Sequence, residues 1–169
     1  FDASLLSFLQ IDRHGSVNVS KLSARPHVTA GAGGFVDITA RAKKIVFSGP
    51  LVAGADVRIE AGQVHVVKEG KVKKLVPEVE HVSFSGRRAR EQGQEITYVT
   101  ERCLLSLAKD GVTVTEIAPG IDLQRDVLAQ AGFELKVAGN LRTMPAALFK
   151  AEKLGLTLNG VTKIGKGHE

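Results

Sequence analysis

The sequence predicts an α/β fold in which a mixed β-sheet carries flanking helices. Three observations predict it. Of 169 residues, 43% are apolar and 24% charged, a globular balance that leaves ample side chains for a core. Aromatics are only 5% and Trp is absent, so that core has to be built from Val, Leu, Ile and Ala. Short apolar runs of period two alternate with helical segments, and no internal repeat is present.

The elements follow in order. Leu5 to Gln10 reads as a buried strand, Asp12-Arg13-His14-Gly15 as a turn and Ser16 to Val19 as a short extended segment. Ser20 to Thr29, with Pro26, is an irregular loop. The glycine-rich run Ala30-Gly31-Ala32-Gly33-Gly34 then leads into a helix from Phe35 to Ala42. Ile45-Val46-Phe47 forms a strand bounded by Gly49-Pro50. Val57 to Glu60 and Val64 to Val67 form a hairpin about Ala61-Gly62, and Glu69-Gly70-Lys71 turns the chain into Val72 to Val76. His81 to Phe84 reads as a strand, and Arg87 to Gln92 as a polar helical turn or two. Glu95 to Thr100, Cys103 to Leu107 and Val112 to Ile117 are strands, the last two joined by Lys109-Asp110-Gly111. Asp122 is placed to N-cap a helix from Leu123 to Gln130 that Gly132 ends. Phe133 to Val137 is a short strand. Pro145 to Leu154 is a last helix stopped by Gly155, and residues 159–169 form a flexible Gly- and Lys-rich tail after a domain spanning 1–158.

Charge and cysteine content exclude several classes. The net charge is +5, but the basic residues fall in separate short clusters, at Lys43-Lys44, Lys71 to Lys74 and Arg87 to Arg90. No aromatic residues interleave with them, so nucleic acid is not the expected partner. Cys103 is the one cysteine, which excludes an intrachain disulfide and points to a reducing compartment, the cytoplasm or an organelle matrix. The five histidines share no ligand spacing, so no metal is expected. No apolar run approaches a membrane span. The chain opens at Phe1, and its single methionine is Met144; a processed subunit or a piece of a longer polypeptide is the expectation.

The richest candidate for chemistry is the loop Gly31-Ala32-Gly33-Gly34. Three glycines in four positions bare the backbone just before a helix, where N–H groups suit a phosphate, a carboxylate or an oxyanion. It is not a dinucleotide fingerprint, because Val36 stands at the third glycine position of that pattern. Taken alone, it can equally be a tight turn that packs closely.

Three further segments carry a resemblance. Ser83-Phe84-Ser85-Gly86, Ile96-Thr97-Tyr98-Val99-Thr100-Glu101-Arg102 and Glu116-Ile117-Ala118-Pro119-Gly120-Ile121-Asp122-Leu123 occur in order. With Asp12-Arg13-His14-Gly15-Ser16-Val17-Asn18-Val19-Ser20-Lys21 and the glycine loop, they resemble the C-terminal, beta-type part of family I coenzyme A transferases, nearest the acetate/propionate branch. The likeness covers about residues 1 to 133. It implies a CoA-transferase-like open α/β domain, present in part. It also implies a ping-pong transfer of CoA between a short-chain acyl-CoA and a carboxylic acid, with CoA as substrate and no resident cofactor.

In that family the nucleophile is a glutamate in a Glu-x-Gly segment upstream of the region matched here. The resemblance therefore implies that this chain supplies only walls of the site and pairs with an upstream or alpha part in a homo- or hetero-oligomer. Gly33, Gly34 and Asn18 are the expected oxyanion donors, and Gly31, Ala32, Gly33 and Gly34 the expected CoA-binding positions. Asn18 can instead simply order its turn. Glu101 is read as a carboxylate paired with a neighbouring cation such as Arg102, and Cys103 as an inert buried thiol. Gly160 to Gly167 falls short of a P-loop, since Gly167 replaces the hydroxyl residue. A non-catalytic binding module and an acyl-CoA hydrolase are the alternative readings.

Overall fold

A computed structural model describes residues 2–24, 26–27 and 31–154. The tail expected at 159–169, the P-loop-like run and Ala30 lie outside the described residues.

The main sheet has six strands. They are β1 (Ala3–Ser7), β4 (Lys44–Ser48), β10 (Glu95–Val99), β11 (Cys103–Ala108), β12 (Gly111–Ile117) and β13 (Lys136–Thr143), neighbours in that order. The first three are mutually parallel, β11 is antiparallel to both its neighbours, and β13 runs parallel to β12. The sheet is thus mixed, as expected. Two crossovers carry the helices α1 (Phe35–Arg41) and α2 (Gly86–Glu91).

Alternation decides which face is buried. Ile45 and Phe47 on β4, Ile96 and Tyr98 on β10, Leu105 on β11 and Val114 on β12 all point to one side and are almost fully buried. Phe47 sits at the centre, 5.7 Å from the Tyr98 ring, 5.1 Å from Phe84 and 6.0 Å from Phe35 of α1. Both helices therefore cover the same face of the sheet. Smaller strands complete the molecule. β2 (Gln10–Asp12), β3 (Val17–Asn18) and β9 (Leu75–Val76) form one sheet, β5 (Val52–Ala53) pairs with β8 (Val72–Lys73), and β6 (Asp56–Glu60) with β7 (Gln63–Lys68) makes the predicted hairpin.

Several elements differ from the sequence reading. The run Leu5 to Gln10 is not one strand: β1 ends at Ser7 and β2 starts at Gln10, in a different sheet. Leu5 is 79% exposed because it faces away from the helices. His81 to Phe84 makes only one bridge, Val17 to Phe84. The helix expected at Leu123 to Gln130 is a π-helical turn followed by a 3-10 turn, though Asp122 does cap it, accepting from the Arg125 N–H at 2.7 Å. β13 runs to Thr143, well past Val137, because pairing with β12 holds a segment whose own pattern is polar. The expected helix from Pro145 is a single 3-10 turn, Ala146–Phe149. Residues 145–148 and 150–154 are exposed, so no apolar stripe anchors a longer helix.

Candidate functional site

β1, β4 and β10 end together at Ser7, Ser48 and Val99, and both helices enter from that end. In open α/β sheets this carboxyl edge is where ligands bind. The Gly49-Pro50 and Thr100-Glu101-Arg102 corners meet there, with the Gly49 N–H donating to Val99 O at 3.1 Å, and the glycine loop leads into α1, whose Phe35 packs on Phe47 of β4.

Among the described residues, packed glycines differ from open ones. Gly15 and Gly86 are there for packing: a Cβ on Gly86 would lie 2.2 Å from the His14 carbonyl oxygen. Gly15 has φ +77°, and its carbonyl accepts the buried Tyr98 hydroxyl at 2.6 Å. The loop glycines are different. Among the described residues, a Cβ on Gly31 or Gly33 would meet nothing within 4 Å, and one on Gly34 only Ile38 Cδ1 at 3.7 Å. Gly33 does need a left-handed backbone, with φ +50°. Close packing against the described residues thus does not account for Gly31 or Gly34. The Phe35 N–H is used by Ala32 O at 3.0 Å; among the described residues, those of Gly33 and Gly34 have no acceptor.

Asn18 is fully buried and its carboxamide is fully engaged. It donates to Gln10 Oε1 at 2.8 Å and to Lys21 O at 2.6 Å, and it accepts from the N–H groups of Ser20 and Lys21. In this arrangement both N–H groups are spent on the chain itself. Asn18 orders the turn of residues 18–21, the alternative weighed above.

At the Gly49-Pro50 corner an open cleft of about 650 Å³ is walled by Val52, Val57, Val99 and Glu101. The Glu101 carboxylate accepts from the Leu51 N–H and from Arg102 Nε, both at 3.0 Å. The pairing read from the sequence is present. Sequence reasoning missed the rest of the network. Arg102 is wholly buried, and its other nitrogens reach both oxygens of Glu69, at 2.7 and 2.9 Å, and the Asp126 carbonyl at 3.0 Å. The Arg102 hydrogen bonds hold Glu69 below the usual carboxylate range against the opposing effect of burial. Nothing local links residues 69 and 102; only adjacency of Glu to Gly70 and of Arg to Glu101 hints at two buried corners.

Lys74 was also missed. It is buried with its ammonium 2.7 Å from the Phe8 carbonyl and 4.2 Å from the Phe8 ring centroid. Burial pushes its pKa down to about 8, partly opposed by Glu101. Burial likewise pushes the Cys103 thiol up to about 12, which makes it inert at neutral pH. His14 and His27 are exposed. Among the described residues no group of acidic, His and Cys side chains is set to hold a metal, and no helix is long and apolar enough to cross a membrane.

The described residues thus form an open α/β unit with a bare glycine loop and an apolar cleft, and comparison with known proteins narrows its class. No family model matches the chain. It is 45% identical over 158 residues to a caffeate CoA-transferase of Acetobacterium woodii, and 40% identical to the acetate CoA-transferase YdiF of Escherichia coli K12. The crystal structure of the acyl-CoA transferase YdiF from E. coli O157:H7 superposes with a TM-score of 0.88 over 93% of this chain, and a second one is a thioester complex with CoA. Glutaconate coenzyme A-transferase of Acidaminococcus fermentans, 16% identical with a TM-score of 0.61, shares the fold. The chain is a homologue of the CoA-transferases and carries their fold. It spans about 30% of the length of the curated relatives it matches.

Proposed function

We propose that this chain forms part of an enzyme that moves coenzyme A between a short-chain acyl-CoA and a carboxylic acid. The observation that carries this reading is the backbone at Gly31 and Gly34, which no described residue packs against closely, in a chain 40–45% identical to CoA-transferases. The proposed cycle is ping-pong. A glutamate carboxylate, supplied by sequence upstream of the residues present here, attacks the thioester carbonyl; its π electrons move to oxygen. Collapse of the oxyanion expels CoA as thiolate and leaves an acyl-glutamyl anhydride. The thiolate then attacks the glutamyl carbonyl, releases the first acid as carboxylate and forms a glutamyl-CoA thioester. An acceptor carboxylate runs the same two steps in reverse.

Each attack builds negative charge on one oxygen. The N–H groups of Gly33 and Gly34 are the proposed donors to it, at a site whose bareness lets a thioester approach. Gly31 and Ala32 are the proposed contacts for the CoA arm. Asn18 is the proposed side-chain donor alongside Gly33 and Gly34, a role that would require it to release Lys21 O or Gln10. The enzyme is proposed to work in the cytoplasm or an organelle matrix, as an oligomer with its upstream or alpha part. The test is CoA exchange from acetyl-CoA to propionate by the full-length polypeptide that contains this sequence. Exchange with a covalent enzyme–CoA thioester is expected. No exchange with any short acid overturns the proposal.

A further inference from the structure

Ser20 carries a hydroxyl that the fold does not use. The residue is 7% exposed, and among the described residues its Oγ is the buried side-chain oxygen or nitrogen without a hydrogen-bond partner. Thr39, Tyr98 and Thr100 show the contrast. Their hydroxyls donate to the carbonyls of Val36, Gly15 and Cys103, and Thr100 Oγ1 also accepts the N–H groups of Arg102 and Cys103. A hydroxyl taken out of water without a partner costs free energy that alanine at the same place would not. Such a group calls for an explanation, and a ligand that supplies the partner is one.

The turn around Ser20 is held from several sides. Asn18 Oδ1 accepts the Ser20 N–H at 3.0 Å and the Lys21 N–H at 3.2 Å, and Ser83 Oγ accepts the Val19 N–H at 3.2 Å. Glu80 accepts the Ser23 N–H with one oxygen and Gln10 Nε2 with the other. Gln10 Oε1 in turn accepts from Asn18 Nδ2 at 2.8 Å. A carboxylate only accepts, so Gln10 turns its NH2 to Glu80 and its oxygen to Asn18, and Asn18 turns its own oxygen to Ser20 and Lys21. The backbone on both sides of Ser20 is therefore fixed before a ligand arrives. A donor placed in this way meets developing charge without having to reorganise.

The turn also stands at the carboxyl edge of the sheet. Leu9, two residues beyond the end of β1, donates its N–H to the Asn18 carbonyl at 2.8 Å. On the other side, Ser83 lines a groove of about 200 Å³ with Val36 and Thr39 of α1, the helix that the glycine loop opens. The Ser20 turn and the first turn of α1 thus border the same short segment, residues 82–85.

We infer that Ser20 is a further catalytic residue of the proposed CoA transfer: its hydroxyl donates to the acyl oxygen on which negative charge develops, together with the Gly33 and Gly34 N–H groups. The inference rests on the proposed function. The hydroxyl lends a hydrogen bond and keeps its proton, so no bond to Ser20 is made or broken. Asn18 has to give up a bond before it can act as a donor; Ser20 gives up none.

Ser20→Ala in the full-length polypeptide that contains this sequence tests this with two readouts. Thermal unfolding without substrate reads any structural use of the hydroxyl. Removing an unpaired hydroxyl should leave the melting temperature unchanged or raise it. Thr100→Val, which deletes a hydroxyl bonded to Arg102 and Cys103, should lower it in the same assay. CoA exchange from acetyl-CoA to propionate by S20A should fall by about 10²-fold in kcat, with the KM for acetyl-CoA unchanged. Ser20→Cys, whose thiol is a weaker donor, should fall between S20A and the wild type. A lower melting temperature for S20A overturns the inference, because the hydroxyl then has a partner in the folded protein. Exchange by S20A at the wild-type rate also overturns it and leaves the proposed function standing. A wild-type polypeptide that exchanges CoA with no short acid removes the proposed function and this role with it.

Discussion

Arg102 and Glu69 face each other as a two-pronged ion pair, with nitrogens 2.7 and 2.9 Å from the two carboxylate oxygens, and the arginine wholly buried. Glu101 and the Asp126 carbonyl take the neighbouring donors. One guanidinium thereby ties the β7–β8 turn, the β10–β11 corner and the turn after Asp122. Removing it leaves the part-buried carboxylates of Glu69 and Glu101 and the buried Asp126 carbonyl without this partner, a penalty larger than the value of the pair itself. Arg102→Ala is expected to destabilise the chain by about 3–5 kcal/mol in urea unfolding. Arg102→Lys should recover only part of that, because an ammonium cannot reproduce the fork.

The same pair gives an acid limb to the stability curve. The folded-state pKa of Glu69 lies below its unfolded value of 4.5, so the folded state binds this proton less readily. Its contribution is complete above pH 4.5 and is lost as pH falls through the folded value. Asp126 is lowered for the same kind of reason, with Arg125 as the main cause. Glu69→Gln should flatten the acid limb of a stability-against-pH series while leaving its alkaline limb unchanged.

Lys74 predicts the opposite limb. Its folded pKa of about 8 is below the usual 10.5, so between these values the unfolded chain holds a proton that the folded chain has lost. Stability from this group therefore rises with pH across that window. Lys74→Met should abolish the rise, measured by urea unfolding at pH 7.5 and at pH 10.

Two glycine substitutions separate packing from function. Gly86→Ala drives a Cβ into the His14 and Gly15 backbone, with contacts of 2.2 and 2.6 Å, and should cost several kcal/mol or prevent folding. Gly31→Val meets none of the described residues at its Cβ and should leave the melting temperature within a degree or two (~0.5 kcal/mol). On the proposed function, the same G31V change in the full-length polypeptide should lower kcat/KM for CoA exchange by about 10²-fold. Unchanged exchange would remove the loop from the site.

Cys103 should stay unreactive to iodoacetamide in the native chain at pH 8, because burial holds its thiol near 12. Labelling should appear only at denaturant concentrations that unfold the protein, which makes this residue a reporter of global opening.

The sequence by itself determined the α/β class, most strand positions, the cap at Asp122, the inert Cys103 and the glycine loop with its homology to CoA-transferases. These are local patterns: alternation, capping chemistry and short motifs are written in neighbouring residues. The last helix misread from Pro145 shows the limit, since helical propensity without an apolar stripe found nothing to pack on. Only the tertiary structure decided which glycines are clamped by backbone and which lie open, that Asn18 spends its amide on its own turn, that Leu5 faces outward, and that Glu69 meets Arg102. Each of those depends on residues tens of positions apart, brought together by sheet register and burial. A side chain's free donors, exposure and charge are set by those distant neighbours.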